Sequence, residues 1–245
     1  MGLSLTIDQG NSSAKLSVFA DNKIIHTERH DSITADTVAA ILHKYGIRRA
    51  IYSSVTNDDD AIVALLRKLE RGLVLNHELP MPLSISYATP ATLGHDRIAE
   101  AAGAAALMPG RNILVVDLGT AITYDLVTAN GRFAGGNIAP GVHARLSALA
   151  EFCVKLPLVE AEGDTPLLGY DTPTAIRSGV VLGIAAEIHY MVQRLSEQYP
   201  GLCLMLTGGD SPLIAPHVDK AVETTVEQNL VTIGLNSILQ YNEHI

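Results

Sequence analysis

The chain has 245 residues, of which 47% are hydrophobic and 18% charged, with a formal net charge of −9. That length supports one large domain or two of about 110 to 130 residues, and the composition excludes a disordered or fibrous protein. The acidic balance argues against a nucleic-acid backbone as the main partner, because phosphodiester binding needs a basic face.

The first third reads as alternating strands and helices. Residues 3–8 and 14–20 are strand-like, Asp21-Asn22 makes a turn, and a third strand is expected over 23–28. Val38, Ile41, Leu42 and Tyr45 recur at helical spacing within 34–45, and Gly46 ends that helix. Arg49 to Val55 reads as a buried strand. The acidic run Asp58-Asp59-Asp60 precedes Ile62, Leu65, Leu66 and Leu69, so it fits a helix N-terminus whose dipole favours carboxylates. Pro80 and Pro82 break the pattern, and a loop runs to Gly94 before an alanine-rich helix over 96–107. Pro109-Gly110 then divides the chain into expected domains 1–110 and 111–245, although the preceding helix could pack with either.

The second half repeats the theme with a strand, a turn, a strand, Gly131 and a third strand entering Gly135-Gly136. Helices are expected at about 141–151 and 172–198, a short strand at Leu202 to Leu206, and a final helix at about 228–241. Three antiparallel strands followed by helix and strand, twice over, is an α/β architecture with mixed sheets. No apolar run approaches the ~18 residues of a membrane span, and no secretory leader is visible. Cys153 and Cys203 lie far apart beside apolar neighbours and are expected as buried thiols in a reducing cytoplasm. The histidines are scattered along the chain.

Two segments look like copies of one device, roughly 110 residues apart. The first is Asp8-Gln9-Gly10-Asn11-Ser12-Ser13-Ala14-Lys15, and the second Asp117-Leu118-Gly119-Thr120 leading to Thr123. Each is an apolar strand ending in Asp, then a glycine turn with small hydroxyl residues, then a returning strand. Glycine lets backbone N–H groups approach a phosphate closely, and Asn11 and Ser12 add short donors. Lys15 offers positive charge to the outer phosphates, whereas Asp8 suits a hydrated Mg²⁺ better than a phosphate. The duplication suggests two related domains with a nucleotide in the cleft between them.

Gly94-His95-Asp96-Arg97 opens the alanine-rich helix after a Gly/Pro-rich loop containing Tyr87. Asp96 can accept the proton of an attacking hydroxyl, and Arg97 can hold a carboxylate with paired hydrogen bonds. Gly135 to Gly141 either forms a structural turn or touches a ligand. Thr207-Gly208-Gly209-Asp210 follows a buried strand, where a ligand edge often rests.

Taken in order, these motifs resemble the type III pantothenate kinases, members of the acetate and sugar kinase/Hsp70/actin superfamily. The resemblance runs through Asp8 to Lys15, Tyr87 to Arg97, Asp117 to Thr123, Gly135 to Gly141, Thr172 to Gly179 and Thr207 to Asp210. It implies duplicated ribonuclease-H-like (actin-like ATPase) domains and ATP-dependent phosphorylation of pantothenate, the first step towards coenzyme A. It also implies that Asp8, Gln9, Gly10, Asn11, Ser12, Ser13, Ala14, Lys15 and Thr120 hold ATP. Asp96 is implied as the base, with Tyr87, Gly94, His95, Arg97 and Thr172 around pantothenate. Asp117 is implied as the ligand of a monovalent cation, K⁺ or NH₄⁺, alongside Mg²⁺, and the family is homodimeric. Two departures stand out: Ser12 replaces the usual Thr, and Phe152-Cys153-Val154-Lys155 stands where many members carry Thr-Ala before Leu-Pro. Non-catalytic accessory factors, actin-like ATPases and other small-molecule kinases share parts of this pattern.

Overall fold

The computed structural model describes residues 2–10, 13–55, 58–219 and 221–243. The first half runs β1 (Leu3–Gln9), β2 (Ala14–Ala20), β3 (Lys23–His30), α1 (Ala35–Tyr45), β4 (Arg49–Ser54), α2 (Asp60–Leu66), β5 (Arg71–Val74), β6 (Ser84–Ile85) and α3 (His95–Leu107). The second runs β7 (Ile113–Leu118), β8 (Ala121–Thr128), β9 (Arg132–Pro140), α4 (Val142–Phe152), α5 (Thr172–Ser196), β10 (Cys203–Thr207), α6 (Ser211–Ile214), β11 (Thr224–Val226) and α7 (Leu230–Tyr241). These elements form two compact units: Met1–Pro109 with Gly131–Phe133 and Asn229–Ile245, and Gly110–Asn130 with Ala134–Gln228.

In the first unit the sheet order is β3-β2-β1-β4-β5. The first three strands are antiparallel, and β4 runs parallel to β1 and to β5. Leu5, Ile7, Leu16 and Val18 face one side and pack with Val38, Ile41 and Leu42 of α1 and Ile62 and Leu66 of α2. Gly46 ends α1 in the left-handed region, at φ 62°, where glycine carries no Cβ penalty. Asp59 caps α2 by accepting from the Ala61 and Ile62 amides at 2.8 and 3.0 Å, so the acidic run is a helix start. The other face of β1 and β2 buries Ser4, Thr6 and Ser17. Ser4 donates to Asn236 Oδ1 of α7 at 2.8 Å. Two glycines let α3 and α7 touch backbone to backbone: a Cβ on Gly234 would collide with the Ala99 carbonyl.

The second unit repeats the topology, with strand order β11-β10-β7-β8-β9. Strands β7 and β8 are antiparallel, and β10 runs parallel to β7 and β11. Leu114, Val116, Leu204 and Leu206 pack with Val180, Val181, Ile184 and Ile188 of α5 in its core.

Several expectations change. The final helix belongs to the first unit, because its contacts are with α3 and β1 rather than with its sequence neighbours. Gly135 and Gly136 lie inside β9, which continues to Pro140, with Gly141 as the cap of α4. The α5 helix, 25 residues long, is long and apolar enough to cross a membrane, contrary to the sequence reading. Its charges, Arg177, Glu187 and Arg194, are widely spaced, which leaves a long apolar window. Its buried face is nevertheless built into the core of the second unit. Cys203 is buried but Cys153 is exposed. The apolar neighbours of Cys153 misled, because α4 ends at Phe152 and both Phe152 and Val154 stand in solvent, 78% and 97% exposed.

Candidate active site

The β1–β2 turn is tight: the Gly10 amide donates to the Ser13 carbonyl at 2.9 Å, and a Cβ at Gly10 would lie only 3.2 Å from that oxygen. Asn11 and Ser12, expected as phosphate donors, lie outside the described residues. Strand register places Ser53, Asp8, Lys15 and Arg29 side by side on β4, β1, β2 and β3. Lys15 Nζ donates to Asn229 Oδ1, at the N-terminal cap of α7, at 2.6 Å. Ala14 is buried beneath the turn. The Gln9 side chain accepts from Tyr52 Oη at 2.6 Å, and Tyr52 in turn accepts from the Asp59 amide at 3.3 Å. Gln9 therefore ties the turn to the start of α2 through its side chain, while its carbonyl accepts from the Val55 amide at 3.1 Å.

Burial pushes the Asp8 carboxyl up to about 6, and the negative charge of Asp96 adds to the rise, while Lys15 and Arg29 oppose it. Asp8 thus feels the charge of Asp96 although the two are 88 positions apart in sequence. Asp96 sits in the first turn of α3, where Gly94 is the cap. Its Oδ1 accepts from the Arg97 amide at 2.8 Å and folds over Gly94, where a Cβ would collide with that oxygen. Only glycine at position 94 leaves the carboxylate this position. The His95 ring turns towards β4, with Nδ1 3.1 Å from the Ser54 carbonyl.

Arg97 is only 5% exposed. Its guanidinium lies 5.8 Å from the ring centres of both Tyr87 and Phe133, and those rings meet edge to face at 6.0 Å. Phe133 comes from the short segment in which β9 pairs with β6, at Ile85. Nothing in the local sequence marks Phe133, Asn229 or Arg29 as a member of this site. Ser53 and Arg29 become visible only once the register is known.

In the second unit the matching row is Thr207, Asp117 and Thr123, on β10, β7 and β8. Here glycines surround the carboxylate. Gly208, at φ 85°, lies against Asp117 Oδ1 and the Leu118 backbone, where a Cβ would collide with both. A Cβ on Gly119 would lie 3.4 Å from Asp117 Oδ2. Gly141 closes on the same turn, donating to the Thr120 carbonyl at 3.1 Å, while the Asp210 amide donates to the Leu118 carbonyl at 2.9 Å. Three segments therefore meet backbone to backbone around Asp117. The Thr123 hydroxyl is buried without a hydrogen-bond partner among the described residues. Thr120 is exposed.

Thr172 is also exposed, as the first residue of α5. Asp171 caps that helix by accepting from the Thr174 amide at 2.9 Å. Behind it, Arg145 grips Glu187 with two bonds of 2.7 Å and donates to the Pro140 carbonyl at 2.8 Å, fixing the end of β9. Of the expected site residues, the structure gathers Asp8, Lys15 and Asp96 in the first unit and packs Tyr87 against Arg97 there. Asp117, Thr120 and Thr172 belong to the second unit. Among the described residues, no three of His, Cys, Asp or Glu gather into a metal-binding group.

A family model described as type III pantothenate kinase matches residues 4–194. A protein named type III pantothenate kinase from Phocaeicola vulgatus is 38% identical over 244 residues, covering 99% of this chain and 100% of the relative. One of the same name from Bacteroides fragilis is 39% identical, with 98% of each chain covered. Among solved structures, a protein assigned as a Baf family transcriptional activator from Campylobacter jejuni superposes with a TM-score of 0.61 at 22% identity, covering 98% of this chain and 100% of that one. The ROK hexokinase of Thermus thermophilus superposes with a TM-score of 0.59 at 14% identity, covering 99% and 100%. At these identities the structures speak for the fold alone, an actin-like ATPase fold built on two mixed α/β sheets. The sequence matches go further, spanning nearly the whole chain and its relatives: this chain belongs to the type III pantothenate kinase family.

Proposed function

We infer that the chain is an ATP-dependent kinase that phosphorylates pantothenate to 4'-phosphopantothenate, the first step of coenzyme A biosynthesis. The observation that carries this reading is Asp96, held at the opening of α3 within electrostatic reach of the Asp8–Lys15 turn. A base beside a phosphate-holding turn is what direct transfer to a hydroxyl requires. In this reading Asp96 orients and deprotonates the acceptor hydroxyl, while the turn from Asp8 to Lys15 keeps the terminal phosphate in line. Bound Mg²⁺ would offset charge on the outer phosphates, and Asp8 is the carboxylate suited to hold its hydration shell.

Gly94, His95, Arg97 and Tyr87 form the pantothenate side. Burial of Arg97 strengthens its pull on a substrate carboxylate, and the Tyr87 and Phe133 rings keep its plane fixed. In the second unit, Thr120 presents a hydroxyl to ATP, and Thr172 contributes to pantothenate binding. Asp117 holds K⁺ or NH₄⁺. The buried Thr123 hydroxyl, without a partner among the described residues and across the strand pair from Asp117, supports that role, as does the threonine at the position matching Lys15.

The protein works as a homodimer in the cytoplasm, without nucleic acid or membrane. The dimer reading is supported by apolar side chains standing out from the second unit, with Val154, Leu167, Leu168 and Tyr170 exposed by 97%, 87%, 84% and 72%. The test is coupled ADP release from ATP with pantothenate, with and without potassium, using Asp96→Asn as control. Potassium-stimulated turnover that needs both pantothenate and Asp96 is the expected result. Silence with pantothenate, in a folded protein that binds ATP, would turn the reading to another acceptor or to a non-catalytic relative.

A further inference from the structure

The row Asp8, Lys15, Arg29 has one member that the function above does not use. Arg29 stands directly opposite Lys15 across the β2–β3 pair, and Lys15 stands opposite Asp8 across β1–β2. Directly opposed residues of an antiparallel pair share a face, with Cβ atoms about 5 Å apart. Two residues along the same face, Ser17 and Thr27 meet hydroxyl to hydroxyl at 3.0 Å, so the strands are level there. Arg29 is exposed, and no carboxylate among the described residues forms an ion pair with it. The acid beside it, Glu28, projects to the opposite face and is engaged by His26 at 2.7 Å and His30 at 3.2 Å. The positive field of Arg29 nevertheless reaches Asp8.

We propose that Arg29 is a second cation of the nucleotide site, a positioning residue that contacts the outermost phosphate of a nucleoside triphosphate beside Lys15. The chemistry favours it. A planar guanidinium fork matches two phosphate oxygens, whereas the Lys15 ammonium is a point charge held by Asn229 at 2.6 Å. The competing explanation is that Arg29 merely keeps an edge strand from pairing with another chain, as charges on such strands do. The proposal rests on the kinase reading for its nucleotide but not for its acceptor.

The experiment is a calorimetric titration of the full chain with Mg²⁺ and either a non-hydrolysable ATP analogue or ADP, in wild type, Arg29→Gln and Arg29→Lys. Loss of one charge-assisted contact should weaken the triphosphate about tenfold and the diphosphate less than about twofold. Arg29→Lys should recover part of the loss, and the melting temperature should stay at the wild-type value. Lys23→Gln, on the same strand but past its bulge and roughly 20 Å away, serves as the control for general surface charge and should change neither affinity. Equal weakening of both nucleotides, no weakening of either, or a wild-type chain that binds neither would overturn the proposal. Because pantothenate is absent, a wrong acceptor would show as silence in turnover while the nucleotide difference at Arg29 persisted.

Discussion

The two glycine turns share one scaffold and differ in what surrounds the aspartate. In the first unit Asp8 faces Lys15, with Ser53 on one side and Arg29 beyond, so the carboxylate sits in a row of formal charges. In the second, Asp117 faces Thr123, with Thr207 beside it, and glycines 119 and 208 bring backbone close to its oxygens. The two units share the strand order and the aspartate, but a threonine stands in the second where a lysine stands in the first. The lesson is electrostatic: a carboxylate with an opposing lysine can organise a hydrated divalent ion beside phosphates, whereas one opposite a hydroxyl suits a mobile monovalent cation.

The comparison can be broken most forcefully at Asp96, whose charge reaches Asp8 in the first turn. Asp96→Asn should lower kcat about 10³-fold while leaving ATP affinity within about twofold, measured by coupled ADP release and calorimetry. Full activity would remove Asp96 from the mechanism. Next in size is Gly208→Ala. A side chain there needs φ near 85° and collides with Asp117 and Leu118. It should cost about 3 kcal/mol in a denaturant melt and abolish potassium stimulation. A variant as stable as wild type would show that the enclosure of Asp117 is not built as described.

Asp8→Asn sharpens the contrast through pH. The folded carboxyl titrates at about 6 against an ordinary 3.8, so ionisation disfavours the folded state. Wild-type stability should fall as pH rises from about 4 through about 6, and Asp8→Asn should be more stable by roughly 2 kcal/mol at pH 8. The gain should vanish below about pH 4, where both states hold the proton; a difference independent of pH would assign it to packing. The smallest effect is the choice of ion. Sodium should support several-fold slower turnover than potassium, and Asp117→Asn should erase that difference. Equal rates in both salts for wild type would separate Asp117 from any cation role.

Much of this architecture was legible from the residues. Strand alternation around Asp8 and Asp117, the Gly46 stop and the acidic start of α2 are local signals, and the structure places each where the pattern indicates. What escaped depends on distant partners. The attachment of α7 to the first unit rests on Gly103 and Gly234, two glycines that look like ordinary helix interruptions until the helices meet. Arg29 reads as one more charge on an alternating strand. Phe133 is isolated between a turn and Gly135, and only its contact with Arg97 gives it meaning. Cys153 differs for the opposite reason: local apolarity there does not mean burial, because α4 ends at Phe152 and leaves Phe152 and Val154 in solvent.

The packing of α7 against α3 also has a consequence for how the protein is made. The first unit is assembled from residues at the beginning of the sequence and from Asn229–Ile245, with the whole second unit translated in between. On the ribosome, β1 to β5 emerge early with the polar face at Ser4 and Thr6 still uncovered, whereas the second unit has all its strands in hand once β11 is out. The second unit is therefore expected to fold first. A released chain truncated before Leu230 should resist protease over the second unit while β1 to β5 remain digestible.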